Sequence, residues 1–146
     1  MKKVFLDSSA LLAAVGSKSG ASARILAHCR RKIIEGYISK YVLIELKRNL
    51  EKKFDEKHKQ RFHGLLLKSN ILVIEDVHHD LRIKYQDVIS AKDTPILATA
   101  HFLKVDYLIT HNTKDFMKQV VYERVFPTEI ITPSKFVHII EKRLAG

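Results

Sequence analysis

Four acidic side chains stand where folding could bring carboxylates together: Asp7, Glu45, Asp93 and Asp115. Asp7 directly follows a short apolar, strand-like run and Asp115 comes soon after another, and ligands of parallel sheets bind at the carboxyl ends of strands. Grouped carboxylates repel one another, and a hard divalent cation such as Mg²⁺ relieves that repulsion through oxygen ligands. A cation held in this way can activate water and stabilise charge on a phosphodiester. The residue types therefore indicate metal-assisted chemistry.

Each of these acids also has an ordinary structural explanation. Asp7, Asp93 and Asp115 occupy positions typical of helix caps, and the Thr-Pro pair that follows Asp93 is a good helix start without any chemistry. Glu45 lies in an apolar segment, where an unpaired charge is costly, but Arg48 three residues later could pair with it on a helix surface. The chemical interpretation rests on the four acids taken together. Three of them fall at predicted strand ends or helix starts on one edge of the sheet, and the fourth lies on a half-buried helix.

The charge of the whole chain points to a polyanionic partner. The 146 residues include 26 Lys and Arg against 16 Asp and Glu, a net charge of +10, which favours nucleic acid or an anionic surface but also serves solubility. Basic segments occur at residues 30–32, 47–53 and 57–61, and each taken singly is better explained as a solvated helix face. An acidic pocket within a basic protein suits a polynucleotide whose backbone the basic flanks hold.

The elements that must position these acids alternate between strands and helices. Apolar runs predict strands at residues 3–6, 37–38, 71–74, 107–110 and 129–132. Apolar residues at helical spacing occupy most of the segments between them. This alternation is typical of a single α/β domain, here residues 1–146, with three α/β/α layers and a mainly parallel central sheet.

Four local predictions are specific enough for the structure to test. Helical spacing predicts one helix over residues 21–35, ending at Gly36, and a second over residues 78–89. The uninterrupted apolar run at residues 71–74 predicts a strand buried on both faces. A short helix is expected over residues 114–121.

Several classes of protein are excluded by the sequence. The single cysteine, Cys29, rules out an internal disulfide and a cysteine-rich zinc site, and it fits a reducing compartment. It lies in a helix-like stretch, where a small buried residue is a better interpretation than a catalytic thiol. No apolar run approaches the roughly 20 residues of a membrane span, and no signal peptide is evident. We therefore expect a cytoplasmic protein without a membrane partner.

Taken in order, the acidic motifs resemble those of the PIN-domain family, compact metal-dependent ribonucleases that include the VapC toxins of toxin–antitoxin pairs. The opening Val-Phe-Leu-Asp-Ser-Ser-Ala-Leu, which contains Asp7, resembles the first strand and acid of the family. Glu45 resembles the second acid, on an early helix, and Asp93 with the following Thr-Pro-Ile-Leu-Ala resembles the third. The apolar strand, Thr, Asn and Asp-Phe within residues 108–116 resemble the last motif. The order and spacing agree over residues 3–137.

The resemblance implies a PIN-like fold and an endoribonuclease that uses Mg²⁺ or Mn²⁺. It implies that Asp7, Asp93 and Asp115 bind the metal and that Glu45 completes the catalytic set or orients the attacking water. The supporting polar groups would be Ser8, Thr110 and Asn112. RNA would be the substrate, the chain would form a homodimer, and a toxin of this kind would have an antitoxin protein as its partner.

Two alternatives from other classes remain open. A phosphatase of the haloacid dehalogenase type also begins with a strand that ends in Asp, but its chemistry requires a second acid two residues later, where this chain has Ser9. A catalytically inert PIN-like module would bind RNA or protein through its basic face alone. Two departures from the family pattern bear on activity: Pro95 could alter the backbone of the third motif, and Asn112, where some relatives have Asp, removes a charge from a second metal site.

Overall fold

A sheet of five parallel strands forms the centre of the computed structural model, which describes residues 1–146. The strands are β1 (Lys2–Leu6), β2 (Ile34–Ser39), β3 (Leu72–Ile74), β4 (Tyr107–Ile109) and β5 (Glu129–Ile131). Their order across the sheet is β3-β2-β1-β4-β5, and every neighbouring pair is parallel. The predicted α/β class with a parallel sheet is confirmed.

Eight α-helices and one 3-10 helix connect the strands, and a ninth α-helix follows the last strand. They are α1 (Ser8–Gly16), α2 (Ala21–Arg30), α3 (Lys40–Lys53), α4 (Glu56–Lys68), α5 (His79–Arg82), the 3-10 helix (Ile83–Tyr85), α6 (Thr94–Phe102), α7 (Thr113–Phe116), α8 (Gln119–Val125) and α9 (Pro133–Ala145). Successive side chains of a strand point to opposite faces, yet Val4, Phe5 and Leu6 of β1 are all buried, so helices cover both faces of the sheet. The predicted layers are confirmed. None of the helices combines the length and the apolar character needed to cross a bilayer.

The strand order reverses between β1 and β4, and this reversal determines where a ligand can enter. The chain first moves outward from β1 through β2 to β3, and then returns to pair β4 with the opposite side of β1. In open α/β sheets, such a reversal opens a crevice at the carboxyl ends of the two strands. The amide of Asp7, just after β1, donates to the carbonyl of Ile109 at 3.2 Å, so the two strand ends lie side by side.

The helix predicted over residues 21–35 is wrong at its C-terminal end. Helix α2 ends at Arg30, because the chain turns through Lys32, whose φ of 60° lies in the left-handed region that closes many helices. Gly36 therefore lies inside β2 rather than after a helix. Its role is to leave space, since a Cβ at this position would lie 2.8 Å from Sγ of Cys29.

The other three local predictions also differ from the structure. β3 is an edge strand, and Leu72 and Val73 are each 47% exposed, so the strand is not buried on both faces. The segment predicted as a helix over residues 78–89 contains only α5 and the 3-10 helix, and the segment over residues 114–121 is divided between α7 and α8. Apolar periodicity could not reveal these outcomes, because it does not say which strands lie at an edge or where a helix is interrupted.

Candidate functional site

Asp7 lies at the junction of β1 and α1 and is 3% exposed. Its Oδ1 accepts hydrogen bonds from the hydroxyl of Ser9 at 2.6 Å and from the amide of Ala10 at 3.0 Å. Its Oδ2 accepts a hydrogen bond from the hydroxyl of Thr110, which follows β4. Burial raises the pKa of Asp7, and the hydrogen bonds from Ser9 and Thr110 oppose that rise. Asp7 is therefore a helix cap, as its position suggested, but its second oxygen is held from β4 across the crevice.

Glu45 projects from α3 and is half-buried. The hydroxyl of Ser8 donates to its Oε1 at 3.1 Å, which ties it to the first turn of α1. No ion pair with Arg48 is formed, so the ordinary surface explanation does not hold for this residue. Burial raises the pKa of Glu45, and the charges of Asp7 and Asp93 raise it further. The structure thus brings Glu45 into the electrostatic field of two other acids.

The N-terminal end of α3 is anchored by its capping residue and by two contacts of Tyr41 that the sequence did not indicate. Ser39 caps the helix with its hydroxyl, as a serine before a segment of helical spacing predicts, and the amide of Tyr41 donates to Oδ2 of Asp76 at 2.9 Å. The hydroxyl of Tyr41 donates to the carbonyl of Lys92 at 2.9 Å, one residue before Asp93. These bonds fix the helix that carries Glu45 against the turn that carries Asp93. No local pattern could have indicated Tyr41, because its partner lies 51 residues away.

Asp93 precedes α6 and is 4% exposed. It stands at the capping position of this helix, but its side chain makes no capping hydrogen bond. The hydroxyl of Ser90 donates to its Oδ2 at 3.1 Å instead. Burial raises the pKa of Asp93, the charge of Asp115 raises it further, and the charge of Lys92 lowers it. The helix-cap explanation therefore fails for Asp93, and its carboxylate is available for another role.

Asp115 lies in α7, shortly after the end of β4. Asn112 caps this short helix: its Oδ1 accepts the amide of Asp115 at 3.2 Å, and its Nδ2 donates to Oδ2 of the same residue at 3.1 Å. The hydroxyl oxygen of Thr110 accepts the amide of Asn112 at 2.9 Å. Thr110 and Asn112 thus form a connected path from Asp7 to Asp115.

Ser9 is a further site residue to which the sequence analysis assigned no role. Its hydroxyl donates to Asp7 and accepts the amide of His111 at 3.0 Å, which joins α1 to the segment after β4. The backbone of His111 makes this contact, while the residue itself is exposed. A serine two residues after a capping Asp is a common local hydrogen-bonding pattern, and that pattern could have indicated Ser9.

The four acids come from four separate segments, and their charges act on one another. Asp7 and Asp93 raise the pKa of Glu45, and Asp115 raises the pKa of Asp93. None of the four takes part in an ion pair with Lys, Arg or His. The structure therefore gathers negative charge at the carboxyl ends of β1 and β4 without pairing it with a cation.

The chemistry of these donors fits a hard divalent cation. All four are carboxylates, and oxygen ligands are those that Mg²⁺ and Mn²⁺ prefer. As the side chains stand, no group of three or more His, Cys, Asp or Glu residues could hold a metal ion. A divalent cation bound by these carboxylates would offset the mutual repulsion that raises their pKa values.

A family model described as a PIN domain matches residues 3–114. Among solved structures, VapBC2 from Rickettsia felis, bound to a DNA fragment from its promoter, has 19% identity and a TM-score of 0.64 over 89% of this chain and 98% of that chain. PAE2754 from Pyrobaculum aerophilum has 14% identity and a TM-score of 0.66 over 97% of this chain and 98% of that chain.

VapC20 from Mycobacterium tuberculosis, described as a sarcin-ricin loop cleaving toxin, has 17% identity and a TM-score of 0.57 over 75% of this chain and 90% of that chain. The search of curated proteins gives no match. At these identities the structural similarities establish the fold, and the family follows from the match to the family model.

Proposed function

Since the chain belongs to the PIN domain family, we propose that it is a divalent-metal-dependent endoribonuclease. The observation that supports this most directly is the electrostatic coupling of Asp7, Glu45, Asp93 and Asp115 without a paired cation. In a chain with a net charge of +10, such a concentration of negative charge opposes the binding of a polynucleotide at that point. A bound Mg²⁺ or Mn²⁺ ion would remove this conflict.

Each acid has a distinct role in the proposed reaction. Asp7, Asp93 and Asp115 would hold the ion. When bound, the ion would activate water for attack on phosphorus and stabilise the charge that develops on the phosphodiester oxygens. Glu45 would complete the set or orient the attacking water, and its raised pKa suits a group that receives a proton.

The polar neighbours of the acids would keep them oriented. Ser8 holds Glu45, Thr110 holds Asp7, and Asn112 holds Asp115, each through a side-chain hydrogen bond. Such outer contacts fix the direction of a ligand oxygen and adjust its basicity. They explain why short hydroxyl and amide side chains surround the carboxylates.

The biological setting that we propose is a toxin–antitoxin pair. VapC20 is described as a toxin that cleaves the sarcin-ricin loop, and its fold is similar to that of this chain. By extension, the chain would cleave RNA and would be inhibited by an antitoxin protein. We also propose that the chain forms a homodimer, as the family resemblance implies, and that it acts in the cytoplasm.

The decisive experiment compares RNA cleavage by the wild type and by Asp7→Asn in Mg²⁺, in Mn²⁺ and in EDTA. We expect cleavage by the wild type only with a divalent ion, and a loss of roughly a hundredfold or more in Asp7→Asn, since loss of outer contacts alone costs 10–100-fold. Asp80→Asn is the matched control, because the side chain of Asp80 is 82% exposed and lies outside the site. Equal cleavage by the wild type and Asp7→Asn would remove the proposal.

Calorimetry separates the nuclease from an inert binding module. The wild type should take up Mn²⁺ in a titration, and Asp7→Asn and Asp93→Asn should take up little or none. A module that only binds RNA or protein would show no uptake that depends on these carboxylates.

A further inference from the structure

A cleft of about 470 Å³ lies between the C-terminal end of α1, helix α2 and helix α4. Four cationic side chains line it, and no acidic residue does: the cations are Lys18, Arg30, Arg61 and Lys68. None of the four belongs to an ion pair. The cleft is therefore a concentration of positive charge that the protein itself does not neutralise.

Local stability does not account for this arrangement. Arg61 has a structural task, since its guanidinium donates to the carbonyls of Ala14 and Val15 at the end of α1. Arg30 and Lys68 are the last residues of their helices, where a cation interacts favourably with the helix dipole. These local roles account for Arg30, Arg61 and Lys68 singly and leave Lys18 without one, and they do not explain why all four cations border one concave surface without an acid.

The remaining lining of the cleft favours a sugar–phosphate backbone as the occupant. Its wall is formed by small and aliphatic residues, among them Ala23, Leu26, Ala27 and Leu65, and no aromatic residue lines it. Bases bound by stacking need aromatic side chains, whereas backbone binding needs only cations at accessible positions. At Gly64 nothing lies within 4 Å of the position that a Cβ would take, so the wall is open there.

Helix α1 lies between Asp7 and the Lys18 end of the cleft. It has nine residues, which corresponds to about 13 Å at 1.5 Å per residue, and it begins next to Asp7. A strand of stacked nucleotides that advances about 3.4 Å per residue covers this length in about four nucleotides. A dinucleotide could therefore occupy the acidic site without reaching the cleft.

We infer that this cleft, lined by Lys18, Arg30, Arg61 and Lys68, is a second RNA-binding site that holds the substrate backbone about four stacked nucleotides from the bond to be cleaved. The inference rests on the proposed ribonuclease function and deepens it. It adds to the acidic site a remote contact that depends on the length of the RNA and not on its sequence.

The test measures binding of a labelled single-stranded RNA of about 20 nucleotides over a series of KCl concentrations, in an Asp7→Asn background that prevents cleavage. The test variant carries Lys18→Gln, Arg30→Gln and Lys68→Gln, and it leaves Arg61 in place. The control carries Lys84→Gln, Lys104→Gln and Lys118→Gln, three exposed lysines that do not line the cleft. Both variants lose the same net charge.

We expect the slope of log K against log salt to fall by about 2 in the test variant, because each single-strand phosphate contact contributes about 0.7. The affinity at low salt should fall roughly tenfold or more relative to the control. Lys18→Gln alone, which changes an exposed loop residue, should lower the slope by about 0.7 and guards against a folding defect in the triple variant.

The same substitutions in the chain with Asp7 intact should raise KM for the long RNA and leave kcat unchanged. They should have no effect on a dinucleotide, which is too short to span the length of α1. Equal salt slopes in the test and control variants would overturn the inference. So would binding of a poly-Glu peptide that the test variant loses while its RNA affinity is retained, since the cleft would then serve an acidic protein.

Failure of the second site and failure of the nuclease are separate results. If the wild type cleaves RNA and the test variant binds RNA as the control does, only the second site is wrong. If the wild type cleaves no RNA under any divalent ion, the proposed function is wrong, whatever the salt slopes are.

Discussion

At the scale of single residues, each acid of the site is held by a short polar side chain from nearby in the structure. Thr110 is fully buried and contacts both Asp7, as a donor, and the amide of Asn112, as an acceptor. Ser8 and Ser9 point to different acids although they are adjacent, because the first contacts Glu45 and the second contacts Asp7. Orientation of the carboxylates therefore depends on uncharged side chains, hydroxyls for Asp7, Glu45 and Asp93 and an amide for Asp115.

The substitution Thr110→Val tests this dependence. It removes the hydroxyl with little change of shape and leaves a buried Oδ2 and a backbone amide without partners, which should destabilise the protein by about 1–3 kcal/mol. Cleavage of RNA should fall roughly 10–100-fold, as for the loss of other contacts that orient ligands. Urea unfolding and cleavage assays measure the two effects. Thr110→Ser keeps the hydroxyl and should retain most activity. Equal losses of activity in Thr110→Val and Thr110→Ser would contradict the role of the hydroxyl in orienting Asp7.

Asp93 provides a prediction about pH. Its folded pKa is raised by burial and by Asp115, so the folded protein binds a proton more tightly than the unfolded chain does. The contribution of Asp93 to stability is therefore fully present below the unfolded pKa of about 3.9 and is lost as pH rises through the higher folded pKa. The asparagine of Asp93→Asn does not titrate, so this loss of stability is absent from the variant. Its side-chain oxygen can still accept the hydrogen bond from Ser90.

In EDTA, Asp93→Asn should become more stable than the wild type as pH rises from the unfolded to the folded pKa of Asp93. Above the folded pKa the difference should stay constant. We expect the Tm of Asp93→Asn minus that of the wild type to be larger at neutral pH than at pH 4. Thermal unfolding monitored by circular dichroism at a series of pH values measures it. A wild type that gains stability relative to the variant as pH rises above 4 would contradict the raised pKa.

At the scale of elements, two helices position most of the site. α1 starts directly after Asp7, and its first turn supplies Ser8 and Ser9. α3 carries Glu45 and is tied to the turn before Asp93 by Tyr41. Each helix begins after a polar capping residue, Asp7 for α1 and Ser39 for α3. The sequence could not predict the contact of Tyr41 with Lys92, which exists only after the chain has folded.

The boundary between α2 and β2 shows why one local prediction failed. Glycine commonly follows a helix, and Gly36 follows a stretch of helical spacing, so the helix was extended to it. In the structure a lysine takes the left-handed turn instead, and Gly36 serves the packing of α2 against β2 through Cys29. The need for space at a strand position depends on which helix packs on it, and that information is not local.

Gly36→Ala tests this explanation at the level of the element. The new Cβ would lie 2.8 Å from Sγ of Cys29 and 3.1 Å from Cγ1 of Ile71, so neighbouring side chains must shift. We expect a loss of about 1–3 kcal/mol in the free energy of unfolding, measured with urea. Gly64→Ala is the matched control, because that position in α4 is open and alanine should stabilise the helix by about 0.5–1 kcal/mol. Similar effects of the two substitutions would refute the packing role of Gly36.

At the scale of the whole molecule, the site exists because the strand order reverses between β1 and β4. The four acids come from β1, α3, α6 and α7 or the turns beside them, so a bound ion would connect parts of the chain that are remote in sequence. An ion that binds only the folded state must stabilise it by mass action. The stability of the whole chain is therefore a measure of metal binding that does not depend on activity.

The corresponding prediction concerns thermal unfolding in Mn²⁺. At an ion concentration of 100 times Kd, stabilisation is about 2.7 kcal/mol, or roughly 5–10 °C in Tm for a chain of this size. The wild type and the control Asp80→Asn should show this increase, whereas Asp7→Asn should not. The same increase in all three proteins would assign the effect to metal binding elsewhere.

Residue types and periodicity along the chain were enough to predict the fold class, the parallel sheet and the four candidate acids. Only the folded chain shows which acids act on one another, that Asp93 does not cap its helix, that Ser9 and Tyr41 hold the site together, and that β3 is an exposed edge. It alone gathered Lys18, Arg30, Arg61 and Lys68 around one cleft. The physical reason is that strand order and helix packing set distances between residues far apart in sequence, and both charge interactions and burial depend on those distances.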